Sequence, residues 1–251
     1  MTISETARKN HDELFPGPTS TLARTDPELV EMFDNFAFDE TLQHADLDPR
    51  LRLMTQLAAL IATGAVNEYR VMLGAALTVG VTPVEAKEVV YQAVPYVGMG
   101  RVVDVLHVTN DVLTERGVEL PLPGQSITTP DTRTERGLAV QKQIVGAERV
   151  EALYANAPDD EQHLQRFLTA NCFGDHVSRD GLDLPTRELL TVSMLAALGG
   201  CEPQLKGHVA ANLNVGNDRA TLLAVLTRLI PFIGYPRTLN ALRVLDEATL
   251  A

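Results

Sequence analysis

The chain has 251 residues, 45% hydrophobic and 22% charged, an ordinary globular composition with enough material for one large core or two small ones. A net charge of −12 argues against nucleic acid and anionic membranes as partners. The absence of Trp, with only 7 Phe and 5 Tyr, argues against an aromatic platform for single strands.

Read from the N-terminus, MTISETARKNHDELF lacks an apolar signal core, and no later apolar run approaches a membrane span. The expected compartment is the cytoplasm, where Cys172 and Cys201 stay reduced; two cysteines are too few for a disulfide scaffold. From residue 49 the chain repeats itself. A shift of 136 lays residues 49–108 over 185–244 without a gap. Gly64 falls on Gly200, Gly80 on Gly216, Pro95 on Pro231, Gly98 on Gly234 and Arg101 on Arg237. A looser match continues upstream, where LVEMFDNFAFDETL resembles LQRFLTANCFGDHV. A first repeat is assigned to 1–119, a linker with LPLPGQSITTPDT to 120–134, and a second repeat to 135–251.

Within the second repeat, LPTRELLTVSMLAAL predicts a helix stopped by Gly199 and Gly200. PQLKGHVAANLNV predicts another, with Pro203 at its first position and Gly216 at its stop. A third is expected over 219–230, ending before Pro231, and a last over 237–249 after the turn FIGYP. No segment alternates with period two. The prediction is an all-α protein, two tandem copies of a helical-hairpin unit.

The chemistry gathers in GGCEPQLKGHVAANLNVG, residues 199–216. Cys201 at a helix mouth is expected to gain thiolate character from the dipole. His208, seven residues on, shares its face about 10 Å away, with Gln204 between them. Glu188 on the preceding helix meets this face if the two helices form a hairpin. In the first repeat the counterparts of Cys201, Gln204 and His208 are Ala65, Glu68 and Met72. Plainer readings stand beside these: an interior histidine, a small buried cysteine, and Glu188 and Glu68 as first-turn carboxylates. Cys172 reads as core. Arg101 and Arg237 each begin a helix, where a cation opposes the dipole. An internal salt bridge is the favoured reading for both, and a substrate carboxylate the alternative. No cluster has zinc-ligand spacing, and no glycine-rich nucleotide motif is present.

RELLTVSMLAALGG, CEPQLKGHVAANLNVG and PFIGYPRTLNAL, with the weaker NEYRVMLGAALTVGVTPVEAKEVV and PYVGMG, resemble the carboxymuconolactone decarboxylase family, which includes the alkylhydroperoxidase D-like proteins. The resemblance implies helical hairpins assembled in rings of six units, hence a trimer of duplicated chains. It implies a small-molecule substrate and no cofactor; that no metal is expected follows from the ligand spacing alone. Two chemistries follow from it. Decarboxylase members resemble EFxxHxxAAxxxG, which His208 and Glu68 match in different repeats. Such a member removes carbon dioxide from a small lactone or carboxylic acid, with His208 as general acid/base, Glu188 or Glu68 as its partner, and Cys201 lining the pocket. Gln204, Arg237, Tyr235 and Arg101 are expected to contact substrate. Hydroperoxidase members resemble E…CxxCxxxH. Glu188, Cys201 and His208 match that pattern, but Gln204 stands where the second thiol belongs. A thiol peroxidase using Cys201 is therefore the alternative, and a catalytically silent oligomer the third reading.

Overall fold

The computed structural model describes residues 2–17, 20–44 and 46–250. Among them there is no strand. The chain runs through α1 (Glu5–Leu14), α2 (Leu22–Thr25), α3 (Pro27–Phe38), α4 (Pro49–Thr63), α5 (Val66–Thr78), α6 (Pro83–Val97) and α7 (Met99–Glu115). After an extended segment come α8 (Arg133–Val145), α9 (Ala147–Asn156) and α10 (Gln162–Phe167), which leads into a π-helix at Leu168–Val177. The last three are α11 (Leu184–Leu198), α12 (Glu202–Asn214) and α13 (Arg219–Thr249). No helix among the described residues is long and apolar enough to cross a membrane.

The duplication is visible helix by helix. α5 and α12 are offset by the same 136 residues as the sequence repeat, and α6 with α7 corresponds to the two limbs of α13. Local chemistry sets the starts. Asp48 caps α4 by accepting from Leu51 N, Asp183 caps α11 through Thr186 N, and Thr82 with Glu85 forms a capping box on α6. Pro49, Pro83 and Pro185 occupy first-turn positions, where no backbone N–H is needed.

α4 and α11 pack against each other at the centre, each repeat supplying one. They are buried on every side: Leu53 through Ala62 on α4, Arg187 through Ala197 on α11. Helices apolar all round belong in such a place. The polar residues of α11 are there as well, and two of them are satisfied within the helix. Thr191 and Ser193 donate to the carbonyls of Arg187 and Leu189 at 3.0 and 2.8 Å.

Two local expectations are corrected. Pro231 does not end a helix: α13 continues past it and breaks only at Gly234, where φ is 77°. A proline removes one hydrogen bond, but redirecting the chain takes a positive φ, which glycine reaches without penalty. Gly98, at φ 80°, makes the same break between α6 and α7 three residues after Pro95. The other surprise is the π-helix, whose wide turn places Cys172 and Phe173 inside a small second core with Ile144, Val177 and Ala211.

α8 and the π-helix touch backbone to backbone. A Cβ on Gly137 would overlap the Thr169 carbonyl and come within 2.8 Å of Gly174 N. Gly137→Ala is therefore expected to lower the unfolding free energy by about 1–3 kcal/mol, read from the urea midpoint. Gly100→Ala, where a Cβ meets nothing within 4 Å, is expected to leave that midpoint unchanged or slightly raised.

Candidate active site

α11 and α12 form a hairpin joined by Gly199 and Gly200, both at positive φ. Its register pairs Glu188 with His208 and Leu195 with Cys201. His208 Nδ1 lies 2.7 Å from Glu188 Oε2, a distance typical of a charge-assisted hydrogen bond. The carboxylate accepts, so Nδ1 carries hydrogen and Nε2 is the basic nitrogen of the neutral ring. The Glu188 side chain is 1% exposed and that of His208 19%, so the pair is anchored inside and reachable from outside through the imidazole.

Three asparagine and tyrosine side chains complete the setting. Asn212, fully buried, donates to the carbonyls of Glu188 (3.1 Å) and His208 (2.7 Å), tying the two helices together behind the pair. Asn217 donates to Asn212 Oδ1 and to the Pro185 carbonyl, both at 2.9 Å. Tyr96, from the end of α6, meets the His208 ring edge-on at 5.7 Å. Its hydroxyl is buried beside Cys172, Thr191 and Glu188 without the alignment of a hydrogen bond. Burial, then the neighbouring Cys172 and Glu188, push that phenol far above its usual range, so it stays a neutral donor. The second carboxylate oxygen, Glu188 Oε1, is buried without a hydrogen-bond partner too. A buried carboxylate oxygen next to a reachable imidazole thus retains unspent bonding capacity.

The remaining expected site residues go elsewhere. Cys201 Sγ donates to the Leu195 carbonyl at 3.3 Å, two helical turns or about 10 Å from the Glu188–His208 contact. Its thiol is pushed up by burial and by Glu202, so the expected thiolate at the helix mouth is not formed; desolvation outweighs the dipole. The space between Cys201 and Arg237 is about 10 Å³, room for roughly one water and not for a substrate. Gln204 is exposed and bridges nothing among the described residues. Glu68 is half-buried in the first turn of α5, which packs on α4 and α7, so it does not join His208. Burial raises its carboxyl. Arg101 donates to the Ala62 carbonyl, answering the negative end of α4 in place of the expected ion pair. Arg237 is exposed beside Gly199, with no carboxylate partner among the described residues. Tyr235 is exposed, 6.3 Å from the Phe36 ring.

Sequence reasoning missed Tyr96, Asn212 and Asn217. Asn212 had a signal, four residues after His208 on one helical face. Tyr96 had a fainter one: its counterpart in the other repeat is Phe232, so only one copy carries the hydroxyl. Glu188 and His208 likewise correspond to Arg52 and Met72. The acid–base pair therefore occurs once, roofed by a residue of the other repeat. Among the described residues, no group of three or more His, Cys, Asp or Glu is placed to hold a metal ion.

Against this geometry the relatives can be weighed. The profile of the carboxymuconolactone decarboxylase family matches residues 27–111 and 162–247, more than half of the chain and once in each repeat. The chain belongs to the carboxymuconolactone decarboxylase family. A 4-carboxymuconolactone decarboxylase from Acinetobacter baylyi is 30% identical over 117 residues, covering 47% of this chain and 87% of the relative. A solved structure from Burkholderia xenovorans, named a "putative gamma-carboxymuconolactone decarboxylase subunit", superposes with a TM-score of 0.55 at 22% identity. It covers 97% of this chain and 96% of its own, and so shares the duplicated fold along the whole length.

The thiols make a separate expectation. Cys172 is pushed up to about 12, chiefly by burial. Raised pKa values mean little thiolate at pH 8, so both cysteines are expected to resist iodoacetamide in the native protein. Cys172 should react only after urea is added, as read by intact mass, and Cys201 should speed up as pH rises above 9. Cys201 precedes the first turn of α12 while Cys172, in the π-helix, clusters with Ala211 near its other end, so they do not form a vicinal redox pair.

Proposed function

We propose that this chain is an acid–base lyase acting on a small lactone or carboxylic acid, with His208 as the proton-transferring group. The observation that carries this reading is the 2.7 Å bond from Nδ1 of the partly exposed His208 to a buried Glu188 carboxylate, which leaves Nε2 as the nitrogen not engaged in that bond. Such an arrangement fixes the tautomer and favours the imidazolium once it forms.

In a decarboxylation, the bond between carbon and the leaving carboxylate breaks heterolytically, and carbon dioxide departs without the electron pair. That pair is delocalised into the lactone carbonyl. His208, protonated on both nitrogens, then delivers its Nε2 proton to the carbon and is left neutral, still bonded to Glu188 through Nδ1. Solvent restores the proton. Tyr96, whose ring meets that of His208, is suited to hold an oxygen of the substrate, since burial keeps its hydroxyl protonated. Asn212 holds the two helices at fixed separation and is a positioning residue.

The A. baylyi relative names a substrate to try first. Loss of 4-carboxymuconolactone, followed by ultraviolet absorbance, is expected for the wild type and undiminished in Cys201→Ser. Hydroperoxide turnover that disappears in Cys201→Ser would overturn the lyase reading in favour of thiol chemistry. Inactivity in both assays would favour a silent oligomer.

A further inference from the structure

A cavity of about 310 Å³ lies away from the Glu188–His208 pair, under the extended segment between the repeats. Residues 120–125 cover it, and Lys87, Tyr91, Asn110 and Arg179 face it from below. Lys87 precedes Tyr96 by nine residues on α6, about 13 Å along the axis, so one small molecule does not span both places.

The charges in this cavity do not cancel. Glu88 is the carboxylate in the wall, and two guanidiniums already hold it: Arg179 Nη2 and Arg187 Nη2, both at 2.9 Å. Lys87 is 9% exposed, and its ammonium donates to Asn110 Oδ1, a neutral acceptor. No carboxylate pairs with it among the described residues. Lys87, Arg179 and Glu88 are the charged residues lining the cavity, an excess of one positive charge in a chain of net −12. An ammonium has three donors, and a buried one with a single neutral partner is costly unless an anion joins it. Tyr91 holds the Arg179 guanidinium over its ring at 5.1 Å, fixing one side of the opening. The extended segment adds an apolar lining, Leu120, Pro121, Leu122 and Pro123, continued by Val84 of α6.

We propose that this cavity is a second ligand site, for a small organic carboxylate whose anionic end meets Lys87 beside Arg179 and whose apolar body lies against residues 120–123. The apolar wall distinguishes such a ligand from a bare inorganic anion, which would use only the cationic side. The site does not depend on the acid–base reading of His208.

Isothermal titration of the full chain with hexanoate, benzoate and inorganic phosphate tests it. Both carboxylates are expected to bind the wild type and His208→Ala alike, and to bind Lys87→Met at least tenfold more weakly. Asn110→Asp gives Lys87 a carboxylate of nearly the same shape, and is expected to cost the same tenfold while melting no lower than the wild type. Failure of hexanoate and benzoate to bind the wild type would overturn the proposal, as would binding unchanged in Lys87→Met and Asn110→Asp. Loss of binding in His208→Ala would assign the ligand to the Glu188–His208 pair instead. Phosphate binding as tight as the carboxylates would overturn the organic ligand and leave an inorganic anion.

Discussion

His208→Ala is expected to lower turnover of a lactone substrate by about 10²–10⁴-fold while leaving the melting temperature close to wild type. The side chain lies at the surface end of the pair and keeps 19% of its area in solvent, so removing it empties little of the core. Glu188→Gln probes the same function from within. Glutamine fits the space and still accepts from Nδ1, but it no longer balances an imidazolium, so a fall in rate of at least tenfold is expected with substrate affinity less affected. Glu188→Ala is a poorer probe, since it also opens a hole at a position only 1% exposed. The check is steady-state ultraviolet kinetics on the three proteins beside their thermal melts. Equal loss of rate and of folded protein would assign Glu188 to structure alone.

The largest stability effect is expected at Glu88, which holds Arg187, the residue before Glu188. Its carboxylate lies on α6 and is 1% exposed; Arg187 on α11 is 0% exposed and bonds to it at 2.9 Å. Arg187 also donates to Gln92 Oε1 at 2.9 Å and to the carbonyls of Arg179 and Asp180. Gln92 returns a bond to the Arg187 carbonyl at 2.6 Å. This network joins the two repeats through a buried charge. Glu88→Leu leaves Arg187 without an anion in a place water does not reach, and should cost about 3–5 kcal/mol in urea unfolding. Removing the exposed partner in Arg70–Glu115, as Glu115→Gln, should cost no more than about 1 kcal/mol. The contrast separates burial from mere pairing. Similar values for the two variants would show that the Glu88 network contributes no more than a surface pair.

Much of the fold was legible because the repeat exposed it. A gapless offset of glycines and prolines marks chain reversals, and these are the residues whose backbone needs are most particular. Gly64, Gly80, Gly98, Gly200, Gly216 and Gly234 all adopt positive φ in the structure. Pro231 misled for the opposite reason: a proline's cost is local, and packing around α13 absorbs it. The π-helix had no sequence signal of its own, since its wide turn depends on the close approach of α8 at Gly137 and Gly174.

At the site, a seven-residue spacing was enough to place His208 on the hairpin face, and the antiparallel register brings Glu188 to it. What periodicity does not carry is the competition among neighbours. Cys201 sits at a helix mouth as expected, yet it packs against the core beside Glu202 and its hydrogen bond goes to a carbonyl, so burial decides its thiol. Tyr96 comes from the other repeat, and no local pattern connects residue 96 with residue 208. Arg101 and Arg237 look equivalent in sequence. Both are exposed, but one caps α4 while the other makes no hydrogen bond among the described residues.

The central claim is that the His208 imidazole carries the proton. Turnover of 4-carboxymuconolactone by His208→Ala, measured with increasing added imidazole, tests it most directly. The expected result is a low rate that climbs with imidazole concentration, while the wild type does not respond. A wild-type rate in His208→Ala without imidazole would contradict it.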